Sequence, residues 1–309
     1  MSMERQKVRF ASGSDECAAW YYPGTEESCV VMAGGLAVTK EPATDLFARR
    51  FQEAGFGVLA FDYRGIGESG GQPRQVLPLR RQRADWHAAI AFARTLPGVD
   101  PARIALWAFS ASGGHVLRVA AETPAGSLPP AAVVAQTPNV GGLAATRHAT
   151  RHQKPLAMLR FTGRALLDVL GGLVGRPPLL VPLGGEPGEI AVITTPDVAD
   201  SGPALDPGGR YPDWRQEVAA RSALAMALSR PGRFASRIPC PLLVLVCDQD
   251  ATAAPVPAAA AGQRAPHGDV VHVPGGHYAP FLAAHDQALA AELAFLHAHL
   301  PSPDAAPLP

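Results

Sequence analysis

The feature that most constrains this chain is a rhythm. Short apolar runs recur, each closed by a glycine or polar turn and most of them followed by a stretch of helical length. The runs are SCVVMAG (28–34), GVLAFDY (57–63), RIALWAF (103–109), AAVVAQ (131–136), PLLVLVC (241–247) and DVVHVPG (269–275). Continuous runs of this length suit strands buried on both faces of a parallel sheet. Between them lie amphipathic segments. PATDLFARRFQEAG places Pro42 near a first helical turn and stops at Gly55. LRRQRADWHAAIAFARTLPG gathers Trp86, Ile90, Ala93 and Leu96 near one face and stops at Pro97 and Gly98. DQALAAELAFLHAHL supplies a closing helix. The alternation predicts an α/β fold with a mainly parallel, doubly wound sheet.

The rhythm fails between Asn139 and Arg237, where no run reads as a buried strand of the same kind. A basic stretch, RHATRHQK (147–154), leads into an amphipathic helix, LAMLRFTGRALLDVLGGL. A Pro/Gly-rich section runs from Arg176 to Trp214, and a further helix is expected in WRQEVAARSALAMAL. Residues 139–237 are therefore expected to form an inserted helical cap over one end of the sheet. Residues 1–138 and 238–300 would form the core, and PSPDAAPLP (301–309) a disordered tail. The apolar cap helices point to a mainly hydrophobic substrate pocket. The cluster Arg147, His148, Arg151, His152 and Lys154 reads first as a solvated helix face. The sharper alternative is a grip on a phosphate or carboxylate.

Composition narrows the function. The 309 residues carry zero formal net charge, which argues against a nucleic-acid binder. No stretch is long and apolar enough to span a membrane, and MSMERQKVRF has charges with no apolar run behind them, so no secretory signal is expected. Cys17, Cys29, Cys240 and Cys247 are scattered without metal-ligand spacing. They read as buried free thiols in a reducing, cytoplasmic protein with no metal and no cofactor.

The chemistry concentrates in RIALWAFSASGGH, which reads as strand, tight turn, helix. A serine at such a turn is held in a strained conformation with its Oγ presented outward, and its neighbours two places away must be small. Two registers compete. Small-residue spacing slightly favours Ser112, flanked by Ser110 and Gly114. Strand length favours Ser110, because a run starting at Ile104 ends naturally at Phe109. A serine nucleophile needs a base and a carboxylate to orient it. His277 follows the last strand and a glycine pair, whereas His272 lies inside the strand. Asp250 sits one step along the loop after PLLVLVC, and Asp248 leaves that strand at once. The earlier strand AAVVAQ ends in Gln136 and Asn139 and offers no carboxylate. Ser110, Asp250 and His277 therefore follow the nucleophile, acid, base order. The backbone N–H groups of Ala111 and of Leu36, in the glycine-bearing loop VVMAGGLAVTKE, are the expected oxyanion donors. Phe109 and Trp214 are candidate pocket walls.

Taken together these residues resemble the α/β-hydrolase superfamily of capped serine hydrolases, over nearly the whole chain. The early GG loop, FDYRGIGESGG (61–71), SASGG, CDQD and GGHY carry the resemblance. It implies that Asp62, Arg64, Gly65, Gly67 and Ser69 shape a loop rather than do chemistry. It also implies that Ser110, seven residues after Arg103, is the nucleophile. Some members of the cocaine-esterase and X-Pro-dipeptidyl-peptidase type carry the second glycine three places after the serine, as Gly113 does here. Two departures stand out: Ala108 replaces a glycine, and Gly34–Gly35 replaces a His-Gly pair. The expected activity is cleavage of an ester, thioester or related acyl bond on a small, largely apolar substrate. A non-hydrolytic acyltransferase or cyclase using the same site is the second reading. A ligand-binding protein without turnover is the third.

Overall fold

The computed structural model describes residues 4–123 and 126–300, so the expected tail at 301–309 lies outside the described residues. All six apolar runs are strands: β3 (Cys29–Ala33), β4 (Gly57–Phe61), β5 (Ile104–Phe109), β6 (Ala132–Gln136), β9 (Leu242–Cys247) and β10 (Gly268–Val273). Two further strands precede them, β1 (Gln6–Ser12) and β2 (Asp15–Tyr22), joined by a tight turn at Gly13. The eight-stranded sheet has the order β1-β2-β4-β3-β5-β6-β9-β10. It is parallel from β4 onward, and β1 and β2 join its edge antiparallel.

Strand alternation sorts the core into two layers. Val31, Leu59, Leu106, Val133 and Val244 share one cluster with Trp86 of α2 (Leu79–Ala93), Val116 of α3 (Ala111–Ala121) and Ala258 of α8 (Pro255–Arg264). Val30, Val58, Trp107, Val134 and Leu243 share the other with Phe47 and Phe51 of α1 (Asp45–Glu53) and Leu296 of α9 (His285–His299). Helices thus cover both faces, and each face keeps its backbone groups paired within the sheet. The helix α1 begins at Asp45, later than the position of Pro42 suggests.

The segment between β6 and β9 holds α4 (Gly142–Thr150), α5 (Pro155–Leu173), β7 (Leu180–Pro182), α6 (Val198–Leu205), β8 (Glu217–Ala219), α7 (Ala220–Leu228) and a 3-10 turn, Pro231–Arg237. One expectation changes here. The first six residues of WRQEVAARSALAMAL are loop and the short strand β8 rather than helix. β8 pairs antiparallel with β7, and the Ala219 N–H is taken by the Gln75 carbonyl. Much of the apolar face of α5 is exposed: Leu159 is 69% and Leu173 79% exposed.

All four cysteines are buried and free. Among the described residues no helix is long and apolar enough to cross a membrane.

Candidate active site

Ser110 sits between the last residue of β5 and the first of α3, with φ 56° and ψ −117°. Positive φ at a residue with a Cβ is strained and persists only where surroundings enforce it. Here the end of β6 enforces it. The Ser110 N–H donates to the Gln136 carbonyl (3.0 Å), and the Ser110 carbonyl accepts from the Asn139 N–H (2.9 Å). A Cβ on Gly113 would come within 2.9 Å of Pro138 Cβ, so this close approach requires glycine at the third place after Ser110.

The three expected side chains come together. His277 Nε2 lies 2.9 Å from Ser110 Oγ, and His277 Nδ1 lies 2.7 Å from Asp250 Oδ2. Asp250 can only accept when ionised, so Nδ1 carries the proton and Nε2 is left to accept from the serine hydroxyl. His277 and Asp250 are both buried. Asp250 Oδ1 accepts from the N–H groups of Thr252 (2.8 Å) and Ala253 (2.6 Å), which leaves Oδ2 to face the imidazole. The runners-up, Asp248 and His272, pair with each other at 2.7 Å on the surface.

Ser112 is fully buried, and its role is different. Its Oγ donates to the Gly34 carbonyl, and Tyr63 Oη stands 2.6 Å away. A hydroxyl has one proton. The Ser112 proton goes to Gly34, so Tyr63 must donate to Ser112, and Trp86 Nε1 in turn donates to Tyr63 Oη at 2.7 Å. This relay ties the serine turn to the loop bearing Leu36. The same loop is held beyond Leu36 by Trp214, whose Nε1–H donates to the Ala37 carbonyl at 2.9 Å. Further on, the Lys40 N–H donates to buried Asp62 Oδ1 at 2.7 Å. Asp62 and Ser69 do shape this region: Ser69 Oγ donates to the Asp62 carbonyl and accepts the Ala18 N–H.

Of the two expected donors, the Ala111 N–H opens α3, where no i−4 carbonyl of the helix exists to take it. Leu36 follows Gly35, whose Cα faces Phe109 and the Ser110 Cβ. Phe109 gives up the expected wall position. It is buried, its ring centroid 5.0 Å from that of His277 and 4.9 Å from that of Phe281, so it backs the imidazole rather than facing open space. Trp214 lines a cleft of about 1140 Å³ whose other walls include Arg5, Glu41, Asp45 and Arg210. That cleft mixes charged walls with apolar ones, Leu46, Pro203 and Phe281 among them, and none of Ser110, Asp250 and His277 lines it.

The reading from sequence missed the residues that hold the acid and base loops. Asp197, buried and just ahead of α6, accepts the Ala251 N–H (3.0 Å) and the Thr252 hydroxyl (2.8 Å) on Oδ2. It accepts the His277 N–H on Oδ1 (3.3 Å). A Cβ on Gly276 would come within 2.4 Å of Asp197 Oδ1, so glycine is needed there for the carboxylate to approach. Thr195 Oγ1 reaches Thr252 Oγ1 (2.6 Å), and His148 Nε2–H donates to the Asp250 carbonyl (2.8 Å). His148 thus leaves the expected basic face, while Arg151 stays exposed. No local pattern marks Asp197; it lies in a Pro/Gly-rich loop whose partners are more than fifty residues away.

Comparison with known proteins gives consistent results. Residues 30–292 match the model of the Alpha/beta hydrolase family. The quorum-quenching protein AidA of Acinetobacter baumannii is 38% identical over 275 residues, 88% of this chain and 87% of AidA. Thiohydrolase aneE of Aspergillus aculeatus is 42% identical over 91 residues, 29% of each chain. The crystal structure of alpha/beta hydrolase GrgF from Penicillium sp. sh18 superposes with a TM-score of 0.78 at 22% identity, covering 96% of this chain and 99% of GrgF. None of these three is of the cocaine-esterase type. A family match over most of the chain, joined by a relative alike over nearly its full length, goes beyond resemblance in single motifs: this chain belongs to the alpha/beta hydrolase family.

Proposed function

We propose that the protein is a serine hydrolase cleaving an ester, thioester or related acyl bond. The observation that carries this reading is the unbroken relay from Ser110 Oγ through His277 to buried Asp250. His277 Nε2 takes the serine proton as Oγ attacks the acyl carbonyl. Asp250 fixes the Nδ1–H tautomer and stabilises the imidazolium that forms. The Ala111 and Leu36 N–H groups receive the developing oxyanion. His277 then passes its proton to the leaving group, and water, deprotonated by the same imidazole, releases the acyl group. The segment 139–237 acts as a cap that sets substrate choice. Hydrolysis as the reaction class is supported by the thiohydrolase and quorum-quenching relatives.

The deciding experiment is the intact mass of the protein after exposure to a fluorophosphonate. A single adduct on Ser110, absent from Ser110→Ala and retained in Ser112→Ala, is expected. Labelling of Ser112 instead, or none, overturns the assignment.

One relative favours a second reading. Penicillium GrgF is a polyketide transferase, 31% identical over 172 residues, 55% of this chain and 54% of GrgF. In that reading the acyl-enzyme is discharged by a hydroxyl or amine rather than water. Turnover in heavy-oxygen water separates the two: hydrolysis places one label in the released acid, transfer places none.

A further inference from the structure

Arginines also gather on the flank of α3, in a cleft that no residue of the basic run 147–154 lines. This cleft, of about 460 Å³, opens between α2, α3, the end of α7 and the 3-10 turn. Arg83, Arg118, Arg230 and Arg233 line it, and no carboxylate does. Among the described residues Arg83, Arg230 and Arg233 form no salt bridge; Arg118 pairs with Glu122 at 2.9 Å, outside the lining. The guanidinium carbons of Arg118, Arg233 and Arg237 stand 4.7, 4.8 and 4.8 Å from the centre of one ring, Phe234. Stacking on a ring fixes a guanidinium plane and leaves its N–H edge free for an anion.

Glu122, outside the lining, offsets part of this charge, its own pKa lowered by its bond to Arg118 and by Arg83 and Arg237, but the four lining arginines outnumber it, and an anion in the cleft relieves their repulsion. Burial, with Arg118 as the next cause, pushes the Arg83 pKa down. Burial followed by Arg83 and Arg118 pushes His115, in the same lining, down to about 3. His115 is therefore neutral at physiological pH and adds no charge of its own. An anion small enough for the cleft and of more than one negative charge matches four lining arginines best. Planar forks converging on a compact dianion match phosphate better than a single carboxylate.

We propose that this cleft is a phosphate-binding site. Ala111, which directly follows Ser110, forms part of its wall, as does Gly114 one helical turn on. A bound phosphate therefore lies on the helix that begins at the serine turn. The phosphate can come from the handle of an acyl substrate, such as a phosphorylated thiol carrier, or from a free phosphate that tunes the site. The first source rests on the acyl-transfer chemistry proposed above; the site itself does not.

Titration calorimetry with pyrophosphate on the Ser110→Ala protein tests the site without any turnover. Saturable binding is expected, weakened at least tenfold in Arg83→Gln and in Arg230→Gln, and unchanged in Arg147→Gln/Arg151→Gln on α4. Absence of saturable binding overturns the proposal, as does binding lost only in the α4 variant. Kinetics on the protein with Ser110 intact then distinguish the sources. With a substrate handle, the two cleft variants raise KM for an acyl-coenzyme A tenfold and leave the matching acyl-N-acetylcysteamine unchanged. With free phosphate, pyrophosphate alters turnover of both thioesters in the unsubstituted protein and of neither in the variants. Retained turnover of the phosphate-free thioester shows that the variants fold. Should neither thioester turn over, the catalytic reading fails while the calorimetry still decides the site.

Discussion

The serine side of the site and the acid–base side are held by different means. Around Ser110 the supports are sheet and core: the Gln136 carbonyl, the close contact of Gly113 with Pro138, and the relay from Trp86 through Tyr63 and Ser112 to Gly34. Around Asp250 and His277 the supports are side chains from the β6–β9 segment: Asp197, Thr195 and His148. The proposed nucleophile sits on a strained backbone, which the ends of the central strands β5 and β6 impose. The proposed acid and base sit on two separate loops, and a third element has to set their relative position. The segment proposed as a cap thus also supplies the side chains that hold the Asp250 and His277 loops together.

The largest effect tests the first half of that comparison. Ser110→Ala is expected to lower kcat/KM by about 10⁴-fold or more, because residual catalysis then comes only from binding and oxyanion donors. Asp250→Asn belongs in the same class, since it permits the wrong imidazole tautomer. Steady-state kinetics on an activated acyl ester measure both.

Asp197→Asn tests the other half. Weaker acceptance of the Ala251, Thr252 and His277 donors lets the two loops drift, and displacement on the ångström scale costs up to about 100-fold in rate. The loss is expected in kcat, with KM nearly unchanged, because Asp197 positions groups and does not touch substrate. A KM effect of equal size would assign Asp197 to substrate binding instead. Ser112→Ala cuts the relay to the Leu36 loop and is expected to cost about fivefold in kcat, the scale of one positioning hydrogen bond of about 1 kcal/mol.

Much of the serine side was legible in sequence because its determinants are local. Strand length placed Ser110 at the end of β5, and small residues around it announced the turn. The order Ser110, Asp250, His277 could be read because each residue closely follows a recognisable strand. The edge strand β1 was missed because a half-exposed, charged strand lacks a continuous apolar run; β2, whose run CAAWYY is largely buried, was simply not picked out from the sequence. The role of Ser112 was missed because a buried hydroxyl and a tolerated small residue look alike until Tyr63 and Gly34 are in place. Asp197 was illegible for a stronger reason: its meaning lies entirely in contacts with residues 251, 252 and 277. The exposed apolar face of α5 likewise shows that amphipathicity alone does not say which side meets the protein.

Below the serine strand, Trp107 of β5 donates to Glu292 of α9 at 2.9 Å, and full burial raises the Glu292 pKa from 4.5 to about 8. A raised pKa means that the folded state holds the proton more tightly than the unfolded chain does. The contribution to stability is therefore complete below about pH 4.5 and is lost as pH rises through about 8. Glu292→Gln keeps an acceptor for Trp107 and removes the titration. Melting temperature measured across that window is expected to fall less steeply in the variant. Parallel slopes would mean that Glu292 is already ionised in the fold.

The smallest effect sharpens the comparison most economically, because the protein contains a second His–Asp pair with the same spacing. His272 Nδ1 and Asp248 Oδ1 are 2.7 Å apart, as are His277 Nδ1 and Asp250 Oδ2. The side chains of the first pair are 52% and 48% exposed, whereas those of the second are 1% and 2%. Water screens the exposed pair and competes for its hydrogen bonds, and such pairs contribute about 0–1 kcal/mol. His272→Ala is therefore expected to leave kcat/KM within about twofold and stability within about 0.5 kcal/mol. A loss approaching that of Asp250→Asn would show that sheet-edge position, rather than burial beside Asp197, makes a His–Asp pair competent here.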